Sequence, residues 1–221
     1  MSAIECNLQG ISVMIGIPCG PDLPWQTVQS LVETVMELKD RGIPFELKLV
    51  SGCSIVQKAR NKVAHEFLAS RMSRLFMIDS DMQWSSKDFV RLLALSTKMS
   101  VVCGAYRAKM DPPTFMLGEQ DLSSLETNEY GCLPINGVGL GFTVVSDTVI
   151  GTLAYHAQQL DDGPYIFRCD VHNGAFRGED MAFFADVREI GHQVWLDPSV
   201  CLGHVGTKTY TGSIMDAMVK L

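Results

Sequence analysis

Residues 74–84 read Arg-Leu-Phe-Met-Ile-Asp-Ser-Asp-Met-Gln-Trp. Positions 75–78 are all apolar, without the alternation of a strand that keeps one face in water, so they predict a short strand buried on both sides. That strand runs straight into Asp79-Ser80-Asp81. Ser85 or Ser86 then caps a helix carrying Phe89, Val90, Leu92, Leu93 and Leu95. An apolar strand, an abrupt acidic turn and an amphipathic helix form the repeating unit of a parallel sheet covered by helices on both faces.

The flanking sequence repeats the unit. Upstream, residues 11–18 (ISVMIGIP) predict a first strand that ends at Cys19-Gly20-Pro21. Pro24 opens a helix whose Val28, Leu31, Val32, Val35, Met36 and Leu38 fall mainly on one face, and Gly42 and Pro44 stop it. Residues 45–50 read as a second strand. Ser54 suits the cap of a helix with an apolar stripe of Val56, Ala59, Val63, Ala64, Phe67 and Leu68. Downstream, residues 100–105 predict a fourth strand. Residues 107–135 break the pattern and read as a functional loop, mobile and able to close over a ligand, with a short strand near 114–117. Residues 139–145 form a strand in which glycines alternate with apolar residues, followed by a helix over 146–159. Gly178 and Gly191 bracket a helix over 179–189, and 193–196 is the last strand. The expected fold is α/β, one domain over 1–221, with a mostly parallel central sheet.

Composition narrows the function. Of 221 residues, 47% are hydrophobic and 19% charged, which excludes a disordered chain. A net charge of -7 supplies no overall positive field for nucleic acid or an anionic membrane. Seven cysteines without a C-x-x-C pair point to a reduced, cytoplasmic setting rather than a zinc or redox site. No apolar run approaches the ~18 residues of a membrane span, and the first ten residues lack the basic start of a signal peptide.

Ligands of open parallel sheets bind beyond the carboxyl ends of the strands, where Asp79 and Asp81 fall. Two carboxylates one residue apart can offer oxygens to Mg²⁺ or Mn²⁺, and such a metal neutralises a diphosphate leaving group. The same pair equally suits a plain strand end and helix cap. Glu179 and Asp180 open the late helix, where the macrodipole favours acids; one of them also suits a general base for a hydroxyl. His204, between glycines after the last strand, suits either a structural role or the third ligand of an Asp/Asp/His shell.

The succession FMIDSDMQW, GVGLGFTVVS and GEDMAFFADVREIGHQVWLDPSVCLGHVG resembles the glycosyltransferases of the GT-A fold, particularly the family-2-like single-domain enzymes that use nucleotide-diphosphate sugars. The resemblance spans roughly 11–212, with the stretch 178–206 its most specific part. It implies a donor-binding half over about 11–107 and an acceptor and catalytic half over about 136–212. It further implies a divalent metal, Mn²⁺ or Mg²⁺, held by Asp79, Asp81 and His204, with Asp81 the more direct ligand. Donor contacts fall to Pro18, Cys19, the Arg60-Asn61 pair, Asp79, Ser80 and the backbone-approach glycines Gly139 and Gly141. Asp180 is the implied base of an inverting transfer, with Glu179 helping to bind acceptor or sugar. Lys208 or Lys109 adds positive charge near the phosphates, and Trp84 is an edge candidate. The partners implied are a nucleotide-sugar donor, with uridine favoured, and a hydroxyl acceptor that is a saccharide, modified DNA base, protein or small molecule.

Other readings of these residues remain. Arg60 also fits an exposed helix face with Lys58 and Lys62. A HAD-like phosphatase places D-x-D near its first strand with Thr or Val following, whereas here Met82-Gln83-Trp84 follow the third strand. A nucleotidyltransferase needs a basic, glycine-rich loop after strand one, and CGPDLPW has no basic residue. A nucleotide-sugar binder without catalysis would not need Asp180.

Overall fold

The structure is a computed structural model and describes residues 7–118, 120–121 and 124–218. In chain order the elements are β1 (Val13–Pro18), α1 (Trp25–Asp40), β2 (Phe45–Val50), α2 (Val56–Ala69), β3 (Arg74–Ile78), β4 (Met82–Gln83), α3 (Ser86–Leu95), β5 (Val101–Cys103), β6 (Leu133–Ile135) and β7 (Phe142–Ser146). Then follow α4 (Asp147–His156), β8 (Gln159–Leu160), β9 (Gly163–Pro164), β10 (Asp170–His172), β11 (Ala175–Arg177), α5 (Glu179–Glu189), β12 (Val194–Leu196), β13 (Cys201–His204), β14 (Tyr210–Ser213) and α6 (Ile214–Met218).

The central sheet runs β2-β1-β3-β7-β5-β12-β6. β7 lies antiparallel between β3 and β5, and β6 closes the edge antiparallel to β12; the other strands share one direction. Alternation along the strands divides the interior into two layers. Ile15, Ile17, Phe76 and Ile78 face α1 and α3, and Phe76 stacks on Phe89 with ring centres 4.1 Å apart. Met14, Leu75 and Met77 face α2, α4 and α5. Burial on both faces is why residues 75–78 carry no polar position.

Several boundaries follow expectation. Ser85 caps α3 by accepting the Asp88 N–H, Ser146 caps α4 by accepting that of Val149, and α5 spans Glu179–Glu189. Others do not. Ser54 lies two residues before α2, whose cap position is Ile55 with no side-chain bond. Gly139, Leu140 and Gly141 precede β7 rather than forming part of it. Residues 114–117 give only isolated bridges, Arg107 with Phe115 and Leu117 with Val138. The expected 107–135 loop stops short of its predicted end, because residues 133–135 form β6 of the central sheet; its positions 119 and 122–123 lie outside the described residues. The strand at 193–196 is not the last. β13 and β14 follow it and pair with β4 in a small separate sheet, so His204 lies within a strand.

The largest departure is α1. Val28, Val32 and Met36 are exposed, as is Trp25. Alongside Leu31 and Leu38, the buried residues are hydroxyl-bearing: Thr27, Ser30 and Thr34. Thr27 Oγ1 lies 3.0 Å from the Ser80 carbonyl and 2.8 Å from that of Met82. Ser30 Oγ accepts the Trp84 N–H at 3.0 Å, and Thr34 Oγ1 accepts the Trp84 indole N–H at 2.8 Å. Partners fifty to fifty-five residues away turned the polar face inward. Trp84 is accordingly a core residue packed against Phe142, not a site edge.

Candidate active site

β1, β3 and β5 end at one rim of the sheet, and the reversed β7 begins there. The Asp79 N–H donates to the Gly141 carbonyl at 3.0 Å, which joins the acidic turn to the segment leading into β7. Two clusters grow from this rim.

The inner cluster centres on Arg60, which is 4% exposed while Lys58 and Lys62 lie in solvent. Residues two apart on a helix point to different faces, so the expected basic face does not exist. Arg60 Nη2 donates to Asp79 Oδ1 at 2.9 Å, and Nε lies 3.4 Å from Glu179 Oε1. Tyr106 donates its hydroxyl to Asp79 Oδ2 at 3.1 Å. Burial works against the Arg60 charge, yet Asp79, Tyr106, Glu179 and Asp180 together raise its pKa. Burial and the Asp79 charge lift Tyr106 well above its ordinary value. Arg60 Nη1 is buried without a hydrogen-bond partner among the described residues, an oriented donor facing none of its neighbours' oxygens.

The outer cluster centres on Asp81. The Val205 N–H donates to the Asp81 carbonyl at 2.7 Å and ties the end of β13 to the acidic turn. His204 Nδ1 bonds the Arg107 carbonyl at 2.8 Å, which fixes the ring and aims Nε2 at Asp81 Oδ2, 3.4 Å away. Lys109 Nζ contacts that same oxygen. Burial pushes the Asp81 carboxyl up, but His204 and Lys109 outweigh it and hold the group at about 2.

The expected three-ligand shell is therefore not assembled. Arg60 and Tyr106 take up both oxygens of Asp79, and among the described residues no group of three or more His, Cys, Asp or Glu side chains is placed to hold a metal. Asp81 and His204 do converge. An imidazole whose other nitrogen is bonded to a carbonyl is the usual form of a metal-ligating histidine. One carboxylate and one imidazole also suit an ion that takes its remaining oxygens from a bound diphosphate and water.

The other expected site residues divide. Glu179 and Asp180 occupy the first turn of α5; Glu179 meets Arg60, and Asp180 Oδ1 accepts the Met181 N–H at 2.8 Å. Pro18 ends β1 at the same rim, and the Cys19 N–H bonds the Val50 carbonyl. Ser80 gives its carbonyl to Thr27. Asn61 is committed elsewhere: its amide donates to the Gln57 and Phe167 carbonyls, and its oxygen accepts the Ile166 and Phe167 N–H groups. That leaves Asn61 a backbone clamp rather than a nucleotide contact. The room left by Gly139 and Gly141 is filled by protein. A Cβ on Gly139 would lie 2.4 Å from the Tyr106 hydroxyl, and one on Gly141 2.5 Å from Asp79 Oδ2. Lys208 pairs with Asp111 at 2.7 Å beside the Tyr210 ring.

The sequence offered neither Tyr106 nor Arg107, whose carbonyl orients His204, as a candidate. Both follow the end of β5 at the rim, and that position is the signal that finds them.

The fold that carries these clusters is GT-A-like, the architecture of a large class of glycosyltransferases. No family model and no curated protein matches the sequence. Among solved structures the chain is similar to A197 from STIV, with TM-score 0.61 and 20% identity over 89% of this chain and 86% of that one. It is also similar to GalNAc-T7, solved with UDP, GalNAc and Mn²⁺ (TM-score 0.56, 12% identity, 90% of this chain and 45% of that one). A third likeness is to the catalytic domain of Drosophila β1,4-galactosyltransferase 7 in complex with xylobiose (TM-score 0.50, 16% identity, 92% and 71%). At these identities the likeness is one of fold. Among the described residues no helix is long and apolar enough to cross a membrane.

Proposed function

We propose that the chain is a metal-dependent glycosyltransferase that moves a sugar from a nucleotide-diphosphate donor to a hydroxyl acceptor with inversion. The observation that carries this reading is the convergence of Asp81 and His204 Nε2 on one point of a GT-A-like rim, where Glu179 joins the neighbouring cluster through Arg60. Mn²⁺ or Mg²⁺, when bound by Asp81 and His204, supplies positive charge to the diphosphate leaving group. The UDP and Mn²⁺ in the GalNAc-T7 structure support a uridine donor.

The chain's own residues do the rest. Arg60 holds Asp79 and Glu179 in place. Asp180 takes the acceptor hydroxyl proton as that oxygen forms a bond to the anomeric carbon. The bond from that carbon to the diphosphate breaks, and the nucleoside diphosphate leaves with the electron pair.

A thermal-shift panel of nucleotide diphosphates and their sugars, each with and without Mn²⁺, tests the donor class. One nucleotide should stabilise the protein only when metal is present. Asp180→Asn should keep that shift and lose transfer; near-normal transfer by this variant would remove Asp180 as the base. No metal-dependent shift with any of the nucleotides would undercut the metal-dependent donor site.

A further inference from the structure

Asp81 Oδ2 receives two groups at once, His204 Nε2 and Lys109 Nζ. The Nδ1–H donates to the Arg107 carbonyl at 2.8 Å, which leaves Nε2 facing the carboxylate oxygen 3.4 Å away. Lys109 brings a fixed positive charge to that same oxygen, and its seat is built. The Met110 N–H bonds the Ala108 carbonyl at 2.8 Å, making a three-residue turn with Lys109 at its centre. The Ala108 N–H bonds the Thr114 carbonyl at 2.8 Å and anchors the turn. The lysine stem lies over Gly206, where an added Cβ would come within 3.2 Å of Lys109 Cδ. Neighbouring cations are engaged elsewhere, since Arg107 and Lys208 both pair with Asp111.

We infer that Lys109 is a resident cation that holds the Asp81–His204 position in the metal-free protein and is displaced when a divalent metal enters. The inference rests on the proposed metal-dependent reading of this site and deepens it. A dication outbids a single ammonium for a carboxylate and an imidazole together, and the lysine side chain, 36% exposed, is able to swing into solvent. Metal entry thus exchanges one cation for another.

Direct Mn²⁺ binding without nucleotide, read by calorimetry or by the electron-spin resonance of free Mn²⁺, tests it. Lys109→Met keeps the stem over Gly206 and removes the competing charge, so it should bind Mn²⁺ about fivefold to tenfold more tightly than the parent. Lys109→Arg should stay within about twofold of the parent, because its charge is retained. In the parent, amine acetylation of Lys109 followed by mass spectrometry should rise when Mn²⁺ is added. Equal or weaker Mn²⁺ binding by Lys109→Met, or unchanged labelling with Mn²⁺ demonstrably bound, overturns the inference and leaves the metal site standing. Failure of both parent and Lys109→Met to bind Mn²⁺, with or without UDP, overturns the inference and the metal-dependent reading together.

Discussion

Asp79 and Asp81 are separated by one serine, yet they belong to different worlds. Asp79 turns inward and spends its oxygens on Arg60 and Tyr106. Asp81 turns outward to a histidine and a lysine from segments that pack over the rim. The alternation of an extended chain sends successive odd positions to the same side, but the turn after β3 breaks that rule. One acid thereby becomes part of the scaffold and the other a site for exchangeable partners. Adjacent acids in a short motif need not share a task.

The sharpest way to break the comparison is to remove the inner cluster's cation. Arg60→Met leaves Asp79 and Glu179 without their counter-charge in a largely buried setting, and should cost about 3–5 kcal/mol. Calorimetry should then show a melting temperature lower by on the order of 10 °C. A loss below 1 °C would mean that Asp79 does not depend on Arg60.

Gly141→Ala attacks Asp79 from the other side. The new Cβ would meet Asp79 Oδ2 at 2.5 Å, so the carboxylate must leave Tyr106 or the strand must shift. Denaturant unfolding should show a loss of about 1–3 kcal/mol. The outer cluster should behave in the opposite way. Asp81→Asn should change stability by less than about 1 kcal/mol, while weakening Mn²⁺-dependent UDP binding by at least about 100-fold. Titration calorimetry separates the two, and a destabilised variant that still bound metal would reverse the assignment.

The smallest effect sharpens the contrast with a third acid. Asp170, at the base of the β10–β11 hairpin, pairs with Arg177 and Arg168 and has no part in the proposed chemistry. Hydrogen bonding from Arg177, with help from Arg168 and against burial, holds its carboxyl at about 2. A depressed carboxyl stabilises the fold above its ordinary range near pH ~4 and loses that contribution as pH falls towards 2. The stability gap between parent and Asp170→Asn, about 1 kcal/mol or less, should be flat from neutral pH down to about 5 and close below that. A gap that widened on acidification would contradict the pairing.

Local pattern carried much of this architecture. Residues 75–78, buried on both faces, announced themselves by lacking any polar position, and Gly178 and Gly191 marked the limits of α5. What escaped depends on partners distant in sequence. Asn61 looked like a donor contact because nothing nearby shows that the backbone of Ile166 and Phe167, over a hundred residues on, consumes its amide. Arg60 looked exposed because its neighbours Lys58 and Lys62 are. The antiparallel insertion of β7 beside β3 leaves no trace in the apolar pattern of either strand, yet it brings Gly141 to Asp79. His204 was read as following a strand because the short β13 lacks a long apolar run.

The hydroxyl-lined inner face of α1 has a mechanical consequence. Greasy contacts between a helix and its neighbours are non-directional and tolerate sliding. The hydrogen bonds that Thr27 gives to the Ser80 and Met82 carbonyls, and that Ser30 and Thr34 accept from Trp84, do not, because each depends on distance and angle. The helix therefore acts as a notched rail: three successive notches fix how far the acidic turn protrudes beyond the sheet. The height at which Asp81 is presented is set by side chains that are themselves buried.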